Sequence, residues 1–258
     1  MAMHDFFLDM RNVHFGYSHG APVVDGVSWA MTAGAFHCLL GRSGCGKSTL
    51  LKLAAGLLLP DQGAVLLEGK SLRRPGPVTG FVFQSPTLLE WLTVLDNVLL
   101  PISLRGTPAP ADTARARALL DELGLADMDH RYPAQLSGGQ QSRVAIARAL
   151  ITQPRLLLMD EPFAALDALT REALQDALLD VCRVHGTSVL FVTHDIAEAV
   201  YLADRVAVMD RGRIVHAQDI GLPRPRPAKL RHDAAFNGYC SALRQVMDAT
   251  HELANVGR

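Results

Sequence analysis

The chain has 258 residues, 20% of them charged, and a formal net charge of −1. Near-zero charge argues against a nucleic-acid-binding surface, and no apolar run approaches the ~20 residues that cross a bilayer. The length suits one large α/β domain, alone or with a subdomain, and it can bury a core without disulfides. The start lacks the form of a signal peptide, and four scattered cysteines fit a reducing compartment. We therefore expect a cytoplasmic protein.

Two strands are predicted first, Met10 to Tyr17 and Val23 to Met31, with turn residues between them. We expect them to form an antiparallel β flap. Tyr17 lies on this flap and has two interpretations. Its ring stacks on a nucleotide base, or it is an ordinary half-buried strand aromatic. Position alone does not decide between them.

The strongest single motif follows the flap, where Gly41 to Thr49 reads Gly, four residues, Gly-Lys-Ser. This is the phosphate-binding loop pattern. A buried strand is predicted before it, Ala35 to Leu40, and a helix after it, Thr49 to Gly56, so the required strand–loop–helix context is present. Glycines let backbone N–H groups surround an anion, and the helix start adds partial positive charge. Lys47 would reach the β- and γ-phosphates, and the Ser48 hydroxyl would hold Mg²⁺. The predicted nucleotide-binding residues here are Gly41, Ser43, Gly44, Cys45, Gly46, Lys47, Ser48 and Thr49.

Two further strands are predicted, Ala64 to Leu67 and Val78 to Phe83, and the second runs into Gln84. Ligand groups collect at the ends of parallel strands, so Gln84 either holds a metal or a water, or caps a loop. The next stretch, Pro86 to Arg105, is rich in leucine and contains Trp91. It reads as the core of a helical subdomain, as a docking surface, or as part of each.

Two helices are then predicted, Ala111 to Leu123 and Gln141 to Thr152. The second is preceded by Leu136-Ser137-Gly138-Gly139-Gln140. Ser137 and two glycines at a helix start are a candidate anion site, although the same residues also make an ordinary helix cap.

An apolar strand, Arg155 to Met159, delivers Asp160 and Glu161 to its carboxyl end. Successive strand side chains point to opposite faces, so the two acids differ in role. One binds Mg²⁺ through water while the other faces a nucleophilic water, or both are simply solvated. After a short loop, an amphipathic helix is predicted over Ala168 to His185.

Another buried strand, Ser188 to Thr193, ends at His194. His194 either joins a site at this strand end or caps the following helix. A hairpin is predicted from Val206 to His216. After it come a stiff basic linker, Leu222 to Pro227, and a surface helix, Ala234 to Ala254.

The ordered set of motifs resembles the ATPase subunits of ABC transporters over essentially the whole chain. The motifs that carry the resemblance are the phosphate loop, Gln84, Leu136 to Gln140, Asp160-Glu161, Ala165-Leu166-Asp167 and His194. Residues 84–89, 91–98 and 222–226 further resemble the nitrate, sulfonate and taurine importers. The fold implied is α/β: a P-loop NTPase core with a mixed parallel sheet, the antiparallel flap and an inserted α-helical subdomain. We expect an ATPase domain over 1–220, with the helical subdomain at about 86–152, and a linker and helix over 221–258.

The resemblance also implies a role for each motif residue. Tyr17 matches the adenine-stacking aromatic. Ser137, Gly139 and Gln140 reach the γ-phosphate from a second copy, and Asp167 lies in the cross-dimer loop. Asp160 supports Mg²⁺, Glu161 polarises the attacking water, His194 contacts the γ-phosphate, and Gln84 senses Mg²⁺ and water. The implied catalytic residues are therefore Glu161, His194 and Gln84, and the implied metal residues are Ser48, Gln84 and Asp160.

The cofactors implied are ATP and Mg²⁺. The partners implied are a second copy of the chain in an ATP-sandwich dimer, transmembrane permease subunits and, indirectly, a solute-binding protein, with no nucleic acid. The chain would act peripherally at the cytoplasmic face of the inner membrane, energising import of nitrate, aliphatic sulfonate, taurine or a similar small solute. Two alternatives stay open. One is the ATPase of an exporter or lipoprotein-release system, and the other is a soluble ABC ATPase directed at nucleic acid or ribosomes.

Overall fold

The computed structural model describes residues 6–17, 20–164 and 166–256, with side chains described as far as residue 250. Ala165 of the predicted Ala-Leu-Asp loop lies outside the described residues. The chain divides into two compact units, one made of Met1–Gly76 with Ser188–Arg258 and the other of Pro77–Thr187. Among the described residues, no helix is both long enough and apolar enough to cross a membrane.

The described elements alternate between strands and helices along most of the chain. The strands are β1 Leu8–Phe15, β2 Val24–Met31, β3 Phe36–Leu40, β4 Gln62–Leu67, β5 Lys70–Ser71, β6 Thr79–Val82, β7 Leu156–Asp160, β8 Ser188–Thr193, β9 Arg205–Asp210 and β10 Arg213–Asp219. The helices are α1 Lys47–Ala54, α2 Val94–Ser103, α3 Pro110–Glu122, α4 Gly138–Leu150, α5 Ala168–His185, α6 Ile196–Leu202 and α7 Ala234–Val256, with short 3₁₀ turns at Pro133–Gln135 and Ala228–His232.

The first unit contains an antiparallel sheet in the order β2-β1-β4-β5, which includes the predicted flap. In its second group of strands, β3 pairs in parallel with β8 on one side and with β9 on the other, and β10 closes the edge antiparallel to β9. Every residue of β3 and of β8 is buried. Such continuous burial fits parallel strands covered on both faces.

The C-terminal part of the chain packs within the first unit. Leu222, Leu230, Phe236 and Leu243 are buried. Arg226, in the segment predicted as a basic linker, is only 8% exposed. Its guanidinium donates hydrogen bonds to the backbone carbonyls of Val200 at 2.9 Å and Ala203 at 2.7 Å, and also to that of Tyr201. Arg224 donates to the Leu202 carbonyl at 2.9 Å, so the two arginines together serve carbonyls at the C-terminal end of α6.

The second unit is mainly helical and contains one parallel strand pair, β6 with β7. Of the leucine-rich stretch 86–105, only α2 is helical; its Val94, Val98 and Leu99 are buried, whereas Trp91 before it is 73% exposed. The α-helical and β-sheet content confirms the predicted α/β class.

Candidate nucleotide site

The phosphate loop runs from the end of β3 to the start of α1, and two of its glycines are required by close contacts. A Cβ on Gly41 would lie 2.4 Å from the Met209 carbonyl oxygen, and one on Gly46 would lie 2.4 Å from that of Val23. Gly46 also has φ +105°, a conformation that side chains disfavour. At Gly44, with φ +80°, a Cβ would meet no described atom within 4 Å. Neighbouring backbone therefore leaves no room for a side chain at Gly41 or Gly46, whereas there is open space beside Gly44.

Lys47 is the first residue of α1 and is only 4% exposed. Its ammonium donates to the backbone carbonyls of Gly41 at 2.8 Å and Arg42 at 2.9 Å, so it holds the loop from within. The Cys45 thiol lies 3.9 Å from the same nitrogen, and burial raises the pKa of this thiol. A buried ammonium inside a glycine loop at a helix start is a strong anion-binding arrangement.

The phosphate loop and His194 lie at the same edge of the first unit's parallel strands. Leu40, the last residue of β3, pairs with Thr193, the last residue of β8, so Gly41 and His194 leave adjacent strands side by side. His194 is exposed, and it does not cap the next helix. Asp195 is that cap, because its carboxylate accepts a hydrogen bond from the Glu198 N–H at 3.1 Å. The capping interpretation of His194 is therefore wrong.

Tyr17 lies beside the same loop, just after β1. Its ring is half exposed, contacts the edge of Phe15 at 4.9 Å between centroids, and places its hydroxyl 3.5 Å from Thr49 Oγ1. The described structure thus brings one exposed aromatic face to the residues that follow Lys47.

In the second unit, the paired strands β6 and β7 deliver three predicted site residues to one edge. Val82 pairs with Met159, so Gln84 and Asp160 follow from neighbouring strands. Asp160 is 9% exposed, whereas Gln84 is exposed. Glu161 leaves the strand with φ 45°, so its direction is set by a left-handed backbone rather than by strand alternation. Asp160 is buried and Glu161 is half-buried, and the different roles expected of the two acids stay a prediction.

The segment after Gln84 is held by an arginine that the sequence did not single out. Arg148, on α4, donates to the carbonyls of Pro86 at 2.7 Å and Thr87 at 2.9 Å. Burial lowers the pKa of Arg148. Nothing local in the sequence distinguishes this arginine from Arg143 on the same helix, because its partners lie 61 and 62 positions away.

Ser137 is the N-cap of α4. Its hydroxyl accepts from the Gln140 N–H at 3.3 Å, while the Gln140 side chain accepts from the Ser137 N–H at 2.9 Å, which forms a capping box. A Cβ on Gly139 would lie 2.5 Å from Thr170 Cγ2, so this glycine permits close packing of α4 on α5. Gly138 is exposed and open. The helix-cap interpretation is confirmed, and it leaves the helix start accessible.

Asp167 caps α5 by accepting from the Thr170 N–H at 3.0 Å. Hydrogen bonds from Thr170 lower the pKa of this exposed carboxyl. Asp167 is therefore an ionised, fixed acceptor at neutral pH.

The residues present fit a nucleoside triphosphate. A Cβ at Gly41 or Gly46 would clash with a backbone carbonyl oxygen, the space beside Gly44 is open, and the Lys47 ammonium lies within the loop. Mg²⁺ prefers hydroxyl, amide and carboxylate oxygens as ligands. The first unit offers the hydroxyl of Ser48, and the second unit offers Gln84 and Asp160 at one edge of its strand pair. The fold and these features define a P-loop α/β ATPase.

Comparison with known proteins identifies the family of P-loop ATPases to which the chain belongs. Residues 24–164 match the family model described as ABC transporter, and the chain belongs to that family. It is 47% identical over 234 residues to the aliphatic sulfonates import ATP-binding protein SsuB 1 of Xanthomonas axonopodis pv. citri, covering 90% of this chain and 91% of that protein. It is 46% identical over 206 residues to the bicarbonate transport ATP-binding protein CmpC of Synechococcus elongatus, covering 78% of this chain and 31% of that protein.

Among solved structures, the chain resembles the dimeric ATP-binding cassette MJ0796, in a post-hydrolysis state bound to ADP and Pi. The TM-score is 0.75 at 32% identity, covering 84% of this chain and all of that one. The predicted family, ATPase activity and P-loop fold are therefore confirmed.

Proposed function

We propose that this chain is the ATP-hydrolysing subunit of an importer for a small solute of the nitrate, aliphatic sulfonate and taurine group. The observation that carries the proposal is the similarity to a sulfonate import ATP-binding protein over nine tenths of both chains. The phosphate loop with its buried Lys47 supports the ATPase part. In this proposal the chain acts peripherally at the cytoplasmic face of the membrane, and permease subunits and a solute-binding protein handle the solute.

The proposed chemistry is phosphoryl transfer to water, which depends mainly on positioning and on positive charge near the phosphate oxygens. Lys47 and the loop N–H groups bind the β- and γ-phosphates. Mg²⁺, when bound, neutralises phosphate charge, and Ser48, Gln84 and Asp160 would hold it. Glu161 takes the proton of the attacking water, and His194 donates a hydrogen bond to the γ-phosphate.

Completion of the site by a second copy is part of the proposal. The cassette MJ0796 is dimeric with ADP and Pi. In this chain the start of α4 is accessible at Gly138, and Ser137 and Gln140 border it. We assign Ser137, Gly139 and Gln140 to the γ-phosphate contact made across such a dimer, and Asp167 to the loop contact. Hydrolysis would then require closure of two chains.

A candidate docking surface for the permease lies at the loop 89–93. The buried Asn97 side chain holds this loop. It accepts from the Leu89 N–H at 2.8 Å and donates to the carbonyls of Leu89, Leu92 and Thr93 at 3.0–3.1 Å. Trp91 on the same loop is 73% exposed. Because the loop is fixed while its tryptophan is exposed, it fits a preformed contact for an apolar partner segment.

Trp91→Asp is expected to abolish co-purification of the membrane subunits without changing the fold. A tagged chain is expressed in its own host, membranes are solubilised gently, and the partners are identified by mass spectrometry. Val184→Asp is the matched control, because Val184 is an exposed apolar residue of the same unit, at the end of α5. Recovery of polytopic membrane subunits by the wild type and Val184→Asp, but not by Trp91→Asp, supports the proposal. Recovery of ribosomes or nucleic acid instead would overturn it.

Tyr17→Ala is expected to weaken ATP binding roughly tenfold to a hundredfold, because base–aromatic stacking contributes about 1–3 kcal/mol. Tyr17→Phe keeps the ring and loses only the hydroxyl near Thr49, so its affinity should stay within a few-fold of wild type. Titration with a fluorescent ATP analogue measures both. Equal affinities for the wild type and Tyr17→Ala would remove Tyr17 from the site.

A further inference from the structure

Three hydrogen bonds enclose the backbone around His194. The Thr193 hydroxyl accepts from the Asp195 N–H at 3.0 Å and donates to the Glu198 carboxylate at 2.6 Å. The Asp195 carboxylate accepts in turn from the Glu198 N–H at 3.1 Å. Thr193 is 2% exposed and Glu198 is 6% exposed. His194, the residue between Thr193 and Asp195, is itself exposed.

This arrangement differs from an ordinary capping box. There, the carboxylate at the third helical position accepts directly from the N–H of the capping residue. Here, the Thr193 hydroxyl lies between the two groups. It accepts a hydrogen bond from the N–H of the capping residue Asp195 and donates one to the Glu198 carboxylate. The relay therefore fixes both neighbours of His194, one at the end of β8 and one at the start of α6.

The burial of Glu198 indicates that the relay is more than a helix cap. Glu198 is only 6% exposed, so its carboxylate carries a desolvation cost that an exposed cap residue would avoid. The short hydrogen bond from a buried hydroxyl offsets part of that cost. The hydrogen bonds connect the backbone at position 194 to Thr193, the last residue of β8. Thr193 pairs with Leu40, the residue before the phosphate loop.

We propose that Thr193 and Glu198 are positioning residues for ATP hydrolysis, which hold the His194 imidazole toward the phosphate loop. This inference rests on the proposed function, because it takes His194 as the group that contacts the γ-phosphate. Both residues are buried, so in this inference they act through His194 rather than by direct contact with the nucleotide. Small displacements of a positioned group have large effects on rate, so the relay acts on turnover rather than on ATP affinity.

The test uses Thr193→Val, which removes the hydroxyl at nearly constant volume, in the purified full-length chain. We expect kcat to fall roughly tenfold to a hundredfold, with the KM for ATP within about twofold of wild type. Thr193→Ser keeps the hydroxyl and should retain most of the turnover.

Thr187→Val is the matched control. Thr187 is also buried, precedes the first residue of β8, and donates to the Pro154 carbonyl at 3.3 Å, far from His194 along the strand. Its kcat should equal that of wild type at a similar loss of melting temperature.

A double-mutant comparison separates positioning from general damage. In a His194→Ala background, adding Thr193→Val should lower kcat by less than about twofold, because the relay has no imidazole left to hold. The full loss of kcat in that background would overturn the inference, as would wild-type kcat in Thr193→Val.

A readout without turnover distinguishes this inference from the proposed function. In NMR spectra of histidine-labelled chain, the His194 ring signal, assigned by its loss in His194→Ala, should shift or broaden in Thr193→Val and stay unchanged in Thr187→Val. An unchanged His194 signal in Thr193→Val overturns the positioning role whatever the turnover. Absence of ATP hydrolysis by the wild type in its full transporter would instead overturn the proposed function.

Discussion

Glu161→Gln is expected to bind ATP with near wild-type affinity and to hydrolyse it about 10²–10⁴ times more slowly, since a general base contributes a factor of this size. The amide has the shape of the carboxylate but cannot take a proton from water. Glu161 lies directly after the buried Asp160, at the edge of the second unit's strand pair. Asp160 is retained in the variant, so its proposed role toward Mg²⁺ is unaffected.

The same variant should accumulate as an ATP-bound dimer, because in the proposed function closure precedes hydrolysis and hydrolysis permits opening. Light scattering during size-exclusion chromatography with ATP measures the mass, and phosphate release measures turnover. Glu122→Gln is the control, since Glu122 is an exposed glutamate of the same unit that pairs with His185 at 3.3 Å. Normal turnover by a well-folded Glu161→Gln chain would show that another group activates the water.

Arg226→Ala is expected to lower the free energy of unfolding by about 3 kcal/mol, a large effect for a single substitution. It leaves the carbonyls of Val200, Tyr201 and Ala203 without a buried donor, and unsatisfied acceptors cost about 1–3 kcal/mol each. Removal of a buried charge returns part of this cost, since burial already lowers the pKa of Arg226 to about 10. For a chain of this length we expect the melting temperature to fall by roughly 6–12 °C.

Arg183→Ala serves as the comparison, because the described contact of the Arg183 side chain is a surface ion pair with Asp180, at 3.4 Å. Such pairs contribute about 0–1 kcal/mol, so its melting temperature should stay close to wild type. Differential scanning calorimetry measures both variants. Equal melting temperatures for Arg226→Ala and the wild type would mean that water replaces the guanidinium at the end of α6.

The elements predicted most accurately have strong local signals at both ends. Helix α5 agrees at both bounds, because Asp167 caps its start and Gly186, with φ 63°, ends it. Helices α1 and α4 begin two and three residues earlier than predicted, at Lys47 and Gly138, because each motif supplies its own first helical turn. The stretch 86–105 is helical only over α2, since the Asn97 side chain holds the preceding loop in place of helical hydrogen bonds.

The residues that carry the nucleotide motifs could be named from sequence, because their chemistry depends on neighbours along the chain. The side chains that hold one segment against another could not. Arg148, Glu198 and Arg226 bond to partners on other elements, and composition does not distinguish a buried arginine from a solvated one. The alternating proline and arginine residues around Arg226 are an example. The same sequence is compatible with an exposed linker and with a buried segment whose arginine bonds the end of a helix.

Arg148 has a mechanical consequence. Helix α4 starts at the Ser137 cap and holds residues 86 and 87 through Arg148, roughly 15 Å farther along its axis. A regular helix changes little in length over this distance. Helix α4 is therefore a rigid connection between the Ser137 cap and the loop held by Arg148. A displacement of residues 86 and 87 that keeps the Arg148 hydrogen bonds therefore also displaces the Ser137 end of α4. By reciprocity, a ligand that favours one position of the Ser137 end favours the matching position of the loop.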